Sequence, residues 1–371
     1  MTLQRPHTSV LIVPTGIGAA IGGYAGDALP VARTLAQVTD RLITHPNVMN
    51  GAQMYWPMKN TFYVEGYGLD QFASGQWGLR PVYQNSIGLV IDQAMEDELR
   101  SRHLQAADAA RATLGLDIRA HVVTDKPLGV ALKTAESGAS WGTVENPGSL
   151  LRAAERLINE AGVGAIAVIA RFPDDEGSAE LEAYRQGKGV DLLAGAEAVI
   201  SHLVVRTFKI PCAHAPALAP IPLDTSISPR SAAEELGYTF LPCVLAGLSR
   251  APQFVLETSA PVSDSASGSA SGAIVADSTI MTADQVDAVI VPATAFGGSA
   301  VMSLAPMLNR LGRQVIAVGE NSTAMAVQAA DLGIKAIALN SYLEAAGAIA
   351  AYRAGVTHTA LRPEACSIPS L

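Results

Sequence analysis

The sequence contains few cysteines and no long apolar run. Its three cysteines, Cys212, Cys243 and Cys366, are odd in number, widely spaced and form no CxxC pair. This pattern predicts a reducing compartment and no disulfide framework. No stretch of about 18 apolar residues occurs, so no transmembrane helix is expected. The first residues do not have the pattern of a signal peptide. Together these absences predict a cytoplasmic protein with no membrane partner.

Basic and aromatic residues are also scarce. The net charge is −9 and no run of Lys or Arg occurs, which argues against nucleic acid as a partner. An anionic small molecule is not excluded, because a helix N-terminus can bind one locally. Aromatic residues make up only 5% of a chain that is 49% hydrophobic. Aliphatic side chains must therefore build the core, as they do in parallel α/β layers.

The chain lacks the common signatures of nucleotide and metal enzymes. It has no GxxxxGK[ST] phosphate loop and no HExxH pair. Ile21 occupies the position where a dinucleotide-binding GxGxxG motif requires its third glycine, which disfavours a nicotinamide cofactor. No GxSxG nucleophile elbow is expected at the end of a strand. The sequence therefore identifies no cofactor.

The chain does contain alternating apolar strands and helices. This alternation predicts an α/β fold, with a mostly parallel, doubly wound, Rossmann-like sheet in two lobes. Residues 1–258 are expected to form an N-terminal lobe, and 284–371 a C-terminal lobe of three strand–helix units. A Ser/Ala/Gly-rich linker at 259–283 would separate them. Alternatively, the C-terminal units complete one sheet with the N-terminal strands.

Local patterns give further expectations. ALPVARTLAQVTDRLI is expected to be a helix with Asp27 as its N-cap, and YTFLPCVLAGLS to include a strand. Residues 44–82 are rich in aromatic residues, Asn and Gly, which predicts an ordered irregular segment that lines a site. The Pro-rich stretch IPCAHAPALAPIPLD is expected to be a loop.

Three Gly-rich or hydroxyl-rich turns between strands and helices are candidate anion sites. Glycine lets backbone N–H groups approach a ligand closely, and a helix N-terminus favours negative charge. The candidate substrate-binding residues of these turns are Thr15, Gly16, Gly18, Gly22, Gly23, Gly297, Gly298, Ser299, Glu320, Asn321 and Ser322. The alternative is that they form only tight turns and helix caps.

His45 is the candidate acid/base residue, because imidazole exchanges protons near neutral pH and a second strand should end just before it. Asn47 and Asn50 offer hydrogen bonds in the same loop, and Glu65 is a candidate assisting carboxylate. Arg171 follows an apolar strand, where it could bind a carboxylate or phosphate group of the substrate.

His214 is a second candidate for proton transfer. Together with His202 and Cys212 it also defines an alternative metal site, because Cys and His suit Zn. Their spacing is not that of a structural zinc site, so no metal is assigned. Asp191 and Glu197 are interpreted as helix-cap and surface residues.

Four segments resemble an uncharacterised family of cyanobacteria and plant plastids: PTGIGAAIGGYAGDA, LITHPNVMNGAQ, YVEGYGLD and GAEAVISHLVVRTFKIPCAHAPAL. The resemblance extends over the full chain and implies no activity. It does imply a photosynthetic lineage and a cytosolic or stromal setting. The segment GVDLLAGAEAVISHLVVRTFKIPC is also weakly similar to nicotinate-nucleotide phosphoribosyltransferases. It lacks their phosphate motif, and no catalytic residue is carried over.

These features predict an enzyme of small-molecule metabolism that binds an anionic substrate, bearing a phosphate or a carboxylate, and uses His45 for acid/base chemistry. A transferase, a lyase and a hydrolase all fit. One alternative is a metal-dependent hydrolase with His202, Cys212 and His214 as ligands. Another is a non-catalytic ligand-binding or assembly protein of photosynthetic cells. Ala-rich helices are compatible with a homo-oligomer.

Overall fold

The computed structural model describes residues 5–50, 58–174, 178–219, 222–235, 240–256 and 279–363. The strands in these ranges are β1 (Thr8–Leu11), β2 (Arg41–Thr44), β3 (Thr61–Tyr63), β4 (Trp77–Arg80), β5 (Ile87–Ile91), β6 (Ile118–Val123), β7 (Val130–Thr134), β8 (Ser140–Val144), β9 (Ala165–Arg171), β10 (Cys212–Ala217), β11 (Gln253–Leu256), β12 (Val286–Pro292), β13 (Gln314–Val318) and β14 (Ile337–Leu339). The α-helices are α1 (Leu29–Leu35), α2 (Pro46–Met49), α3 (Gly66–Ala73), α4 (Asp97–Leu114), α5 (Pro147–Ala161), α6 (Ala179–Arg185), α7 (Ala194–Phe208), α8 (Ala232–Glu235), α9 (Phe240–Ser249), α10 (Ser299–Arg310) and α11 (Tyr342–Arg353).

Strands from both ends of the chain form one parallel sheet. Its order is β14-β13-β12-β1-β2-β3, and β1 lies beside β12 with Val10 opposite Val289. Counted from β3, this is the Rossmann strand order 3-2-1-4-5-6. The C-terminal strands thus complete the sheet that the N-terminal strands begin. The division into lobes at residues 258 and 284 stays a prediction, and most of the expected linker lies outside the described residues.

A second parallel sheet has the order β10-β9-β5-β6. In β5, β12 and β13 every residue is buried, as expected for parallel sheets that helices cover on both faces. The Rossmann-like α/β class predicted from the sequence is therefore confirmed. Two antiparallel pairs, β4 with β11 and β7 with β8, accompany the two parallel sheets.

Several expectations about helices are wrong. The helix expected over ALPVARTLAQVTDRLI ends at Leu35, and its last residues belong to β2. The residue that precedes α1 in the N-cap position is Ala28, not Asp27; the Asp27 carboxylate instead accepts the Gly22 N–H at 2.6 Å and pairs with Arg230. The expected strand in YTFLPCVLAGLS is the helix α9. Most of its residues are buried, and hydrophobic periodicity cannot separate a fully buried helix from a buried strand.

Other segments are more regular than expected. The Pro-rich loop contains β10, which lies at the edge of its sheet, where Pro216 need not donate a hydrogen bond. Residues 44–82 contain α2, β3, α3 and β4, while 51–57 lie outside the described residues. Between β13 and β14, where a helix was expected, residues 319–336 are all described and form only a 3₁₀ turn, Ala330–Leu332. The β7–β8 hairpin was not anticipated.

The start of α7 packs directly on the β7–β8 hairpin. A Cβ atom at Gly195 would collide with the backbone of Trp141, and one at Gly142 would collide with Ala196. Only hydrogen atoms at these two positions allow the helix to lie this close to the strand. This contact fixes the helix that supplies several side chains of the cleft described below.

The contact predicts opposite effects for the same substitution in two helices. Gly195→Ala should destabilise the protein by about 1–3 kcal/mol, because overpacking outweighs the gain in helix propensity. Gly347→Ala in α11, where nothing lies within 4 Å of the added Cβ, should stabilise it by about 0.5–1 kcal/mol. Urea unfolding of both variants measures the two changes. A rise in stability for Gly195→Ala would refute the close contact.

Candidate functional site

A cleft lies between the carboxyl ends of β1, β2 and β3 and the second-sheet elements α7 and β10. It holds about 120 Å³, which is room for a small molecule. From the first sheet it is lined by Thr15, Gly23, His45, Asn47, Asn50 and Glu65. From the second it is lined by Asp191, Glu197, Ser201, His202 and His214. The carboxyl ends of parallel strands are the usual location of ligand sites in such sheets.

Glu65 and His202 form one imidazole–carboxylate pair of the cleft. Glu65 caps α3, and its Oε2 accepts the N–H groups of Tyr67 at 2.8 Å and Gly68 at 3.1 Å. Its Oε1 contacts Nδ1 of His202 on α7. The Glu65 side chain is 2% exposed and that of His202 is 40% exposed. Because Nδ1 itself is enclosed, the accessible part of this imidazole is its opposite edge.

The surroundings of His202 favour its charged form. Burial acts to lower the pKa of His202, but the contact with Glu65 and the negative charges of Glu65 and Asp70 outweigh it and raise that pKa above 6.5. Gly66 faces the same ring, since a Cβ atom there would lie 2.9 Å from the imidazole Cε1. The glycine therefore leaves room for the ring beside the capping carboxylate.

Glu197 and His214 form the second pair. Nε2 of His214 lies 3.4 Å from Oε2 of Glu197, and its Nδ1 lies 3.1 Å from Oγ of Ser201. Glu197 and Ser201 are one turn apart on α7 and therefore share a face. Both ring nitrogens of His214 thus have a polar partner. The interpretation of Glu197 as a surface residue is wrong, because its side chain is only 14% exposed and points to His214.

Ser201 orients His214 rather than serving as an exposed nucleophile. It is 2% exposed, and its Oγ lies 3.3 Å from the backbone carbonyl of Glu197. Asp191 is not the N-cap of α7, because Leu193 occupies that position and no side chain caps the helix. The Asp191 carboxylate instead accepts the Leu193 N–H at 2.8 Å, just before the helix begins. It also lines the cleft, which the sequence did not indicate.

His45 lines the cleft as a neutral imidazole that accepts a backbone hydrogen bond. Its Nε2 lies 3.0 Å from the backbone N–H of Val13, and an N–H group can only donate, so Nε2 carries the lone pair. Burial lowers the pKa of His45 to about 4. At neutral pH the ring is uncharged with its proton on Nδ1. Because the Val13 N–H occupies the lone pair of Nε2, this geometry does not favour the predicted acid/base role of His45.

The two asparagines of the same loop are held by the fold. Asn47 donates from Nδ2 to the carbonyls of Val13 at 2.8 Å and Gly22 at 3.0 Å, which braces the Gly-rich turn. Asn50 accepts the Tyr63 hydroxyl at 2.9 Å through Oδ1. This bond identifies Oδ1 as the acceptor, so the other end of the Asn50 amide, Nδ2, can donate hydrogen bonds.

The glycines of the Gly-rich turn permit close contacts within the protein. Gly16, Gly18 and Gly22 have φ of 68°, 59° and 94°, a region that favours glycine. A Cβ atom at Gly16 would collide with the Ser140 side chain of the hairpin, and one at Gly22 would lie 2.6 Å from Val13. Of the four glycines and one threonine proposed in this turn, Thr15 and Gly23 line the cleft.

Backbone groups of the turn are bonded to the C-terminal part of the chain. Asn321, 1% exposed, accepts the Ile21 N–H and donates to the Ile21 carbonyl, both at 2.8 Å. The Ser322 carbonyl accepts the Ala20 N–H at 2.8 Å. Glu320 accepts the Tyr342 N–H at the start of α11, at 2.8 Å. Asn321 and Ser322 therefore hold the turn, whereas Glu320 binds the start of α11, and none of the three is among the residues that line the cleft.

The remaining candidates lie elsewhere. Gly297, Gly298 and Ser299 are at the N-terminus of α10, exposed or half-buried, and they do not line the cleft. Arg171 is held between two carboxylates, Glu96 at 3.0 Å and Asp174 at 2.6 Å. Its guanidinium is therefore engaged within the protein rather than directed at the cleft.

The alternative metal site has no ligand set in the described ranges. No group of three or more His, Cys, Asp or Glu side chains there is arranged to hold a metal ion. Cys212 is completely buried, and burial together with the charge of Glu65 raises the pKa of its thiol well above the ordinary value. His202 and His214 are instead paired with carboxylates.

The fold and the cleft together define a Rossmann-type α/β protein with two imidazole–carboxylate pairs in one site. The chain belongs to the family described as "Protein of unknown function (DUF3326)", whose model matches residues 8–362. It is 59% identical over 361 residues to a protein of Synechococcus sp. (strain ATCC 27144 / PCC 6301 / SAUG 1402/1) named an uncharacterized lipoprotein, covering 97% of this chain and 95% of that protein. The resemblance to an uncharacterised cyanobacterial family is confirmed.

No solved structure matches the chain significantly. Among the helices that the structure describes, none is both long and apolar enough to cross a membrane.

The Glu65–His202 pair predicts a measurable change in protonation. Glu65→Gln should lower the pKa of His202, because burial would then act without the opposing carboxylate. NMR titration of the His202 ring measures this directly. Glu98→Gln, on the exposed side of α4, is the control and should leave the titration unchanged. An unchanged pKa in the Glu65 variant would contradict the pair.

The same pair predicts how stability depends on pH. A raised histidine pKa stabilises the fold fully below the unfolded value near 6.5, and this contribution is lost as the pH rises through the folded pKa. The stability lost in Glu65→Gln should therefore be greater at about pH 6 than at about pH 9. Urea unfolding at the two pH values tests this, and equal losses would mean that only the helix cap had been removed.

Proposed function

We propose that this chain is an enzyme that binds a small carboxylate-bearing molecule in the cleft and moves protons with its two imidazole–carboxylate pairs. The observation that carries this proposal is that Glu65–His202 and Glu197–His214 line the same small cavity. A single such pair is common as a structural contact. Two pairs with different surroundings, facing one space, provide an acid and a base for the same ligand.

The surroundings assign the roles. His202, whose pKa is raised by the contact and charge of Glu65 against the effect of burial, is the proton donor, acting from the edge opposite Nδ1. His214 is the proton acceptor at the second wall: Ser201 holds its Nδ1 at 3.1 Å, and the contact of 3.4 Å between its Nε2 and Glu197 is long enough for a substrate proton to take its place. Removal of a proton at one wall and delivery at the other is the chemistry of lyases, one of the classes that the sequence allows, and also of isomerases.

The first wall supports a carboxylate as the anionic group. Thr15, the Nδ1–H of His45 and the amide of Asn50 are neutral donors that together suit one carboxylate. A phosphate is commonly met by Arg or Lys, and none of the described lining residues is either. In this proposal His45 binds and orients the substrate.

The proposed location is the cytoplasm. Cys212 and Cys243 are both buried, which makes them poor sites for a lipid. The Synechococcus relative is nevertheless named a lipoprotein, so the location needs a direct test. Separation of cell membranes from the soluble fraction should place this chain in the latter. Native mass spectrometry of that fraction would also count the subunits of the proposed homo-oligomer.

The proposed chemistry is tested by hydrogen exchange. Purified protein is incubated with a pool of small carboxylic acids in deuterated water, and mass spectrometry identifies compounds that gain deuterium or are converted. His202→Gln and His214→Gln should each reduce the rate by about 10²–10⁴-fold, the usual contribution of a general acid or base. His121→Gln, at an exposed position of β6, is the control and should keep the full rate.

Gly66→Ala adds a positional test. It alters no ionisable group, but the new Cβ would displace the His202 ring, so the rate should fall while the fold is retained. Full activity of both histidine variants would refute the proposal. A ligand that occupies the cleft without being converted would instead identify a non-catalytic binding protein.

A further inference from the structure

One part of the cleft lining is apolar. Four hydrocarbon side chains, at the start of α7, in β10 and in α9, form this part and are called the apolar surface: Leu193, Pro216, Phe240 and Val244. Phe240 and Val244 are one turn apart on α9 and therefore share a face. Pro216 follows His214 by two residues in β10, so both side chains point to the same side of the strand. The apolar surface thus adjoins the proposed proton acceptor.

The fold sets the distance between the apolar surface and the hydrogen-bond donors of the first wall. A Cβ atom at Gly247 of α9 would lie 2.7 Å from the ring of Tyr63, so the helix and the ring are in direct contact. The hydroxyl of the same ring donates to Oδ1 of Asn50 at 2.9 Å. Tyr63 therefore contacts both α9 and Asn50, and its rigid ring fixes their spacing. A ligand that reaches both must have a defined length.

The chemistry of the apolar surface favours hydrocarbon over a second polar group of the ligand. A polar group placed there would lose its water and find no donor or acceptor on these four side chains. A second anionic group would also lack a cation, because the described lining residues include no Lys or Arg and the charge of His202 is balanced by Glu65. A methylene group placed there leaves water at a gain, which corresponds to about fourfold tighter binding for each one buried.

We infer that the substrate is a short monocarboxylic acid whose hydrocarbon end lies on the apolar surface, and that Phe240 and Val244 determine the chain length it can have. Its carboxylate lies at Thr15, His45 and Asn50, a placement that rests on the proposed function. The cleft volume of about 120 Å³ is far below that of sites for drug-sized ligands, roughly 300–1,000 Å³. This limits the hydrocarbon end to a few carbon atoms.

NMR titration with a homologous series of acids tests the inference, because it measures weak binding as well as tight binding. The unbranched acids from acetate to octanoate are each compared with the diacid of the same number of carbons. The affinity should rise by about fourfold per methylene and pass through a maximum where the cleft is full. At that length the diacid should bind at least about tenfold more weakly. Affinity that does not depend on chain length, equal or tighter binding of the diacids, or no binding by any acid would overturn the inference.

Variants of α9 then locate the hydrocarbon end. Phe240→Ala enlarges the cleft at a half-buried position, so the maximum should move to longer acids, while acetate, which has no methylene group, should bind as before. Val244→Thr replaces a methyl group with a hydroxyl group of similar size and should weaken the best acid by about 3–10-fold, again without an effect on acetate.

Val301→Thr on α10 is the matched control. Val301 is as deeply buried as Val244 but does not line the cleft, so this variant should keep the original affinities. If Phe240→Ala and Val244→Thr both keep the original chain-length preference as well, the hydrocarbon end lies elsewhere and the assignment is refuted.

The outcomes also separate this inference from the proposed function. A monocarboxylic acid that binds with the expected length dependence, but neither gains deuterium nor is converted, would support the hydrocarbon site and refute the enzyme. A diacid that is converted, at a rate lost in His202→Gln and His214→Gln, would support the enzyme and refute the hydrocarbon site.

Discussion

The cleft depends on how closely α7 approaches the β7–β8 hairpin. Gly195 and Gly142 leave no side chain between helix and strand, so the helix axis is fixed by backbone contact, which cannot relax as side-chain rotamers do. From this helix Glu197, Ser201 and His202 reach the cleft. Displacement of the axis would separate His202 from Glu65, whose position is fixed independently as the cap of α3. Both imidazole–carboxylate pairs therefore follow from one packing contact.

The same hairpin explains why the cleft opens beside β2 and β3 rather than at the switch point of this strand order. In a Rossmann sheet the ligand crevice opens at the switch point, here between β1 and β12. The Gly-rich turn that follows β1 is instead bonded to the protein on two sides: Ser140 donates to the Gly16 carbonyl, and Ala324 donates to the Ile17 carbonyl. The space left for a ligand lies beside β2 and β3. This accounts for a glycine-rich turn without the dinucleotide fingerprint.

The sequence reveals those parts of the molecule that depend on local pattern. The buried strands β5, β9 and β12 are continuous aliphatic runs, and Gly115 ends α4 with a positive φ. The β7–β8 hairpin could not be identified in this way, because most of its residues are exposed or half-buried and its strands are not continuous aliphatic runs. The sequence identifies His45, Glu65 and His214 as candidate catalytic residues. It does not identify the residues that they contact, because those lie on elements that are distant in the sequence. The apolar middle of α7 is interrupted by Glu197, Ser201 and His202. Glu197 and Ser201 are four residues apart, and this spacing is the sequence signal for a buried polar face on the helix.

The charges of the cleft favour a ligand over a purely structural role for these groups. A protein can bury a carboxylate at low cost when backbone N–H groups and a cation both meet it, and Glu65 has both. Glu197 has neither at close range, although it is largely buried. Replacing it with an uncharged residue would then be expected to stabilise the fold, since the removed charge was costly. Under the proposed function, the carboxylate beside the cavity gives up stability in order to position His214, as functional sites commonly do.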